Sequence, residues 1–145
     1  MSEHPSLEDF PPPEGAAPAP LRQRLTQERI NGYAAASGDH NPIHLDADFA
    51  RAAGLPSTIA HGLLTLGVAC AQVERWAQGQ AWTSRVSCRF SAPLPSGQIV
   101  SGTPRVIPVD ADLVTVELDA VSESGDRVLS RASLELRAFP PTRPT

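Results

Sequence analysis

Apolar spacing divides the chain into a front part with helical periodicity and a back part that alternates as strands do. Residues 1–20 belong to neither. They are rich in Pro, Ala and Glu, include Pro11, Pro12 and Pro13, and carry no apolar period. Such a stretch does not repay the entropy of ordering, so a disordered or polyproline-like arm is expected. Residues 21–26 read as a short strand. Thr26 is placed as an N-cap, with Glu28 and Arg29 in the first turn. Ile30, Tyr33 and Ala34 recur at helical spacing as far as Ser37, and Gly38 ends that helix. Residues 39–44 should be irregular, because Pro42 disfavours helical geometry at Asn41 and because Asp39 and Asn41 favour turns. Asp46 can cap a helical piece through Ala53, closed by Gly54. The longest helix is expected over residues 59–78. Its apolar or small positions Leu63, Leu66, Gly67, Cys70 and Val73 are joined by Leu64, Val68 and Ala71, so burial on most sides is predicted. Its polar residues Gln72, Glu74 and Arg75 should reach solvent.

After Gly79 the period becomes two. Trp82, Ser84, Val86, Cys88 and Phe90 alternate with Thr83, Arg85, Ser87 and Arg89. Further strands are expected over residues 99–106, 113–121 and 128–139, with turns at 93–97 and 124–126. Pro104 places the second of these four strands at an edge or a bulge. Residues 140–145 resemble the arm and form a flexible tail, which leaves one folded domain over residues 21–139. A helix that buries most of its surface needs a partner that wraps it. A curved antiparallel sheet of about five strands does so. The expected class is α+β, a single hot-dog fold.

Composition narrows the functions. A chain of 145 residues is one domain with room for one core. Its formal net charge is -4, and every basic residue is Arg with no basic cluster, which argues against nucleic acid. The apolar run at 58–71 is too short to cross a bilayer, and no signal peptide is recognised at the N-terminus. Cys70 and Cys88 do not form a disulfide framework; they fit two small buried hydrophobes in a reducing cytoplasm.

The chemistry-bearing stretch is Ser37-Gly38-Asp39-His40-Asn41-Pro42-Ile43-His44-Leu45-Asp46, continued by Thr58-Ile59-Ala60-His61-Gly62. Asp39 alone could be a turn former, and a lone His44 is more often solvated or at a core edge. Set together beside Asn41-Pro42, they offer a carboxyl and an imidazole of different intrinsic pKa, able to divide proton acceptance and delivery. The Gly62 amide, in the first turn of the long helix, has no intrahelical acceptor and can donate to a developing oxyanion. Gly62 would also let a substrate approach closely. Asn41 is assigned to orienting the loop or the carboxylate, His61 to holding the loop, Asp46 to a cap, and His40 to the surface. His40 and His44 lie four apart as in zinc helices, but Pro42 separates them and no third ligand stands at a matching spacing, so no metal is expected. Gly-x-Ser-x-Gly is absent, which removes a serine-hydrolase reading.

Residues 33–64, with Tyr-Ala-Ala-Ala-Ser-Gly-Asp-His-Asn-Pro-Ile-His-Leu-Asp, then Ala-Gly-Leu and Ile-Ala-His-Gly-Leu-Leu, resemble the signature of the MaoC-like hydratases and dehydratases. That family includes (R)-specific enoyl-CoA hydratases and the (3R)-hydroxyacyl-ACP dehydratases of type II fatty-acid synthesis. The resemblance covers about thirty residues, and the proline-rich arm departs from the family's usual N-terminal strand. It implies reversible hydration of a trans-2-enoyl thioester to a (3R)-3-hydroxyacyl thioester, on CoA or acyl carrier protein, with the water held by Asp39 and His44. It implies no cofactor beyond the one the substrate carries. It also implies a dimer with a continuous sheet and an acyl tunnel along the interface, either a homodimer or a pair with a related hot-dog subunit. Ala69, Cys70, Leu63 or Leu66 are expected in that tunnel, and Arg85 and Arg89 against CoA phosphate. Two other readings stand beside it. One is a thioesterase on the same fold, disfavoured because the long helix is apolar until Glu74. The other is a non-catalytic acyl-binding subunit of a heterodimer, disfavoured by the intact Asp39 and His44.

Overall fold

A computed structural model describes residues 7–140. Five strand runs and a long helix appear in the expected order, and two of the runs are broken, giving seven strands. β1 spans Leu21–Arg24, β2 Ala81–Phe90, β3 Ile99–Gly102, β4 Arg105–Asp110, β5 Leu113–Glu117, β6 Ala120–Val121 and β7 Arg127–Ala138. All pairings are antiparallel. The sheet runs β1-β3-β6-β7-β5-β4, and β2 pairs with the other side of β7. With β3/β4 and β6/β5 each continuing one line, the sheet is five strands wide, edged by β1 and β2.

The two breaks face each other and have local causes. Pro104, between β3 and β4, has no N–H for a ladder. A side chain at Gly102 would run into the Asp119 carbonyl, so only glycine allows this close approach. Across the second break, the Arg131 N–H donates to Asp119 Oδ1 at 2.8 Å, and Arg131 sits at φ 52°. A carboxylate thus replaces a ladder partner there, and the sheet bends.

The helical half follows its caps. The Thr26 hydroxyl accepts from the Arg29 N–H at 3.2 Å, starting α1, Gln27–Ser37. Gly38 closes it at φ 78°. The irregular segment expected over 39–44 is corrected in part. Asn41 is extended, as a residue before proline should be, but Pro42 then begins a single helical turn, α2, Pro42–Leu45. Proline suits a first helical position, where its missing N–H would have no partner. Asp46 accepts from the Asp48 and Phe49 N–H groups and starts α3, Ala47–Ala52.

The long helix, α4, spans Gly62–Ala77. It begins three residues later than expected because residues 58–60 are tied down as extended chain, with the Ala60 N–H donating to Leu94 O at 2.8 Å and Ile59 bridged to Pro95. Thr65, Ala69, Gln72, Val73, Trp76 and Ala77 are its buried residues. Burial on most sides is corrected: Leu63 is 62% exposed and Gly67 is open. A five-strand sheet curls around one side of a helix only. Gln72, expected in solvent, is buried and donates to Ala19 O at 3.0 Å.

That bond belongs to the arm, and the expectation of disorder over 1–20 is corrected for residues 7–20. Leu7 is buried, and its N–H donates to Trp76 O at 2.8 Å. Phe10 and Ala16 pack on a cluster of Val73, Trp76, Val114, Leu134 and Leu136 around the C-terminal half of α4. Three apolar contacts and two hydrogen bonds order a stretch that has no periodicity to reveal it. Residues 1–6 and 141–145, the rest of the proposed arm and nearly all of the tail, lie outside the described residues. A second cluster, with Leu21, Ile30, Leu94, Val100 and Leu129, surrounds the amino half of α4. Leu7→Ala should destabilise the fold by about 2 kcal/mol, the low end for a buried leucine because the site lies at the edge of its cluster. A urea midpoint shift measures it, and no shift would show that the arm adds nothing.

Cys70 and Cys88 are free and half-buried. Burial, then the nearby Glu74 and Cys88, pushes the Cys70 thiol up to about 11, and burial raises Cys88 as well. Neither is poised as a nucleophile at neutral pH.

Candidate active site

The irregular loop between α1 and α2 reaches the amino end of α4 because two helix caps aim it there. Gly38 turns the chain out of α1, and the Asp39 carboxylate takes the Asn41 N–H at 3.2 Å through Oδ1. Asn41 Oδ1 accepts from the Ile43 N–H at 3.2 Å. Asn41 therefore works as a helix cap within the loop, through its side-chain oxygen.

His44 is buried, and its Nδ1–H donates to Ile59 O at 2.7 Å. A carbonyl can only accept, so Nδ1 carries the proton of this bond and Nε2 is the ring nitrogen left for other partners. His61, the N-cap of α4, is 2% exposed, and its Nε2–H donates to Asp39 O at 3.0 Å. The two imidazoles stack with centroids 3.8 Å apart, and Tyr33 packs on the far side of His61 at 4.7 Å. One ligand-type atom from each of Asp39, His44 and His61 lies within 4.8 Å of the others. The fold thus brings together Asp39, His44 and His61, with Gly62 next in sequence as the first residue of α4. His40 is exposed.

The third group that spacing failed to show beside His44 is therefore His61, not a partner of His40. The trio is nonetheless a poor metal cage. Imidazole lone pairs lie in the ring plane, and two stacked rings direct them side by side rather than toward one ion. His44 Nδ1 and His61 Nε2 are already committed to carbonyls.

His44 and Gly62 line a cleft of about 270 Å3 that Thr65, Phe90, Leu94 and Val128 complete. Of the residues expected around an acyl tunnel, none of Leu63, Leu66, Ala69 and Cys70 lines it. Ala69 is turned into the core and Leu63 into solvent. The room beside Gly62, expected to admit a substrate, is taken by Phe90: a Cβ at Gly62 would stand 2.9 Å from Phe90 Cδ1. Arg85 and Arg89 are exposed on β2, with Arg85 opposite Glu135. A larger cleft of about 560 Å3 lies elsewhere, among Arg105, Glu117, Asp119 and Arg131. It holds no imidazole and no helix amino end.

Gln27 had no signal in the sequence beyond its place in the first turn of α1. Its Nε2 donates to His44 O at 2.8 Å and to Asn31 Oδ1 at 2.9 Å, while its Oε1 accepts from the Thr58 hydroxyl at 2.7 Å. It ties the segment that carries His44 to the segment that leads into α4. Gln27→Ala leaves two part-buried polar groups without this partner, at a cost of about 1–3 kcal/mol. Urea unfolding should show that loss. Turnover should fall about tenfold through misplacement of His44, in line with the sensitivity of reacting geometry to small shifts.

On a hot-dog fold, an imidazole and the first residue of the long helix thus line one apolar cleft, and a carboxylate stands close to that imidazole. Comparison with known proteins then places the chain. Residues 9–107 match the MaoC like domain, and the chain belongs to that family. It is 37% identical over 92 residues to 3-hydroxyacyl-thioester dehydratase X of Mycobacterium tuberculosis, an alignment covering 61% of this chain and 32% of that protein. It is 45% identical over 71 residues to the peroxisomal enoyl-CoA hydratase 2 of Arabidopsis thaliana, covering 44% of this chain and 23% of that one. The chain therefore corresponds to a minor part of these longer relatives. The unliganded R-hydratase PhaJ1 from Pseudomonas aeruginosa superposes with a TM-score of 0.80 at 21% identity, over 98% of this chain and 99% of that one, and shares the fold. Among the described residues no helix is long and apolar enough to cross a membrane.

Proposed function

We propose that the protein is a hydro-lyase that reversibly hydrates a trans-2-enoyl thioester to a (3R)-3-hydroxyacyl thioester. The observation that carries this reading is the approach of the Asp39 carboxylate and the His44 imidazole, within 4.8 Å, beside the amino end of α4. Two ordinary hydrogen bonds of about 2.8 Å reach across that gap through one water. In hydration the water oxygen bonds to the β-carbon, one of the two groups accepts its proton, and a proton is delivered to the α-carbon. Dehydration reverses each transfer. The thioester oxygen gains negative charge in between, and the Gly62 N–H, at a helix terminus, is suited to receive it. His61 holds the Asp39 backbone and stacks on His44, so we assign it a positioning role, with Asn41 capping the same loop.

The reaction balances with water alone, so no cofactor is needed beyond the CoA or phosphopantetheine that the substrate carries. The names of the relatives, a thioester dehydratase and an enoyl-CoA hydratase, support the substrate class. The thioesterase alternative gains nothing from the structure: Glu74, the only acid on α4, is exposed near the end remote from His44. Two free half-buried thiols suit a reducing cytoplasm. We further infer a homodimer, or a pair with a related hot-dog subunit, formed through the open edge of β2.

The test is the conjugated absorbance of crotonyl-CoA, with the acyl-carrier form run beside it. Its fall without release of free thiol, with chiral analysis giving the 3R product, is the expected result. Free thiol would instead identify a thioesterase, and binding without either change an acyl-binding subunit.

A further inference from the structure

We propose that Phe90 sets the length of the acyl group that the cleft admits, a specificity role that rests on the enoyl-thioester reading above. The cleft of about 270 Å3 falls just below the usual range of drug-sized pockets, about 300–1,000 Å3. It suits a thioester with a short acyl chain. Its walls differ in what they can give. Thr65 and Leu94 are each 1% exposed and are locked in the core, where close packing resists displacement. Phe90 is the largest side chain of the lining, yet it is 51% exposed. It is the last residue of β2, an edge strand.

The ring stands where it does because residue 62 is glycine. A Cβ there would lie 2.9 Å from Phe90 Cδ1 and 3.0 Å from Cε1. The ring therefore rests against the first residue of α4, beside the amide assigned to the oxyanion. For a longer acyl chain, the bulkiest wall it can displace is the aromatic ring at the strand end. Replacing Phe90 with a small residue removes this wall and lengthens the cleft, whereas Phe90→Trp narrows it.

The experiment compares wild type, Phe90→Ala and Phe90→Trp on crotonyl-CoA and trans-2-octenoyl-CoA, and measures butyryl-CoA and octanoyl-CoA binding by calorimetry. For Phe90→Ala the octenoyl-to-crotonyl ratio of kcat/KM should rise at least about tenfold, the scale of discrimination by a few methylenes in an apolar pocket. Crotonyl turnover itself should fall as its packing is lost. Phe90→Trp should move the ratio the other way, and the saturated ligands should follow the same order. Unchanged ratios in an active enzyme would overturn the role of Phe90 and leave the hydratase reading standing. A wild type that binds acyl-CoA without hydrating it would overturn that reading, and the binding ratios would still decide for or against Phe90. Absence of binding by any variant would overturn both.

Discussion

Asp39→Asn and His44→Asn are each expected to lower hydration of crotonyl-CoA by about 100- to 10,000-fold, the usual contribution of a positioned acid or base. Both are chosen to leave the loop standing. Asparagine at 39 keeps a carbonyl oxygen to accept the Asn41 N–H that Oδ1 now takes, so the charge goes and the turn stays. Asparagine at 44 keeps an amide that can donate to Ile59 O as Nδ1 does. Asp39 is exposed, so its replacement should barely move the unfolding midpoint. His44 is buried against His61, and its replacement should cost some stability while the circular dichroism spectrum persists. Turnover close to wild type in either folded variant would sink the site assignment.

The second large effect concerns assembly. Trp82 and Val86 on β2 are 46% and 40% exposed, and Leu63 on the open side of α4 is more exposed still. Among the described residues, β2 has β7 on one side and no strand on the other. An open edge with apolar residues beside it invites another strand, and a second copy meeting it about a two-fold axis closes the interface on itself. Wild type should therefore sediment as a dimer at micromolar concentration, or need a related subunit to do so. Leu63→Arg with Val86→Asp places charges that water solvates in the monomer but that an apolar interface would bury. Dissociation should strengthen at least about a hundredfold, since a buried unpaired charge costs several kcal/mol. A double variant that still sediments like wild type, or a wild type that stays monomeric alone and with every hot-dog partner, would remove this edge from consideration.

What the chain discloses in advance is what depends on neighbours in sequence. Thr26, Gly38 and Asp46 act on backbone within four residues of themselves, and each caps the helix end expected of it. The pairing of Asp39 with His44 was legible for the same reason: five residues with a proline between them have few ways to run. Contacts across the sheet and along α4 were not legible. Nothing in residues 7–20 announces that Leu7 will meet Trp76. Nothing near Gln27 announces Thr58, 31 positions away. The exposed side of α4 misled for a related reason, since Leu63 and Gly67 have the composition of a core and lie outside the core of this chain.

The arm fastens the carboxyl end of α4, while the proposed chemistry occupies its amino end, about 24 Å away for a helix of 16 residues. At that separation the effects of substitutions combine additively. Substitutions around Leu7 and Phe10 that alter heat tolerance, and substitutions at Phe90 that alter substrate range, should therefore not undo one another.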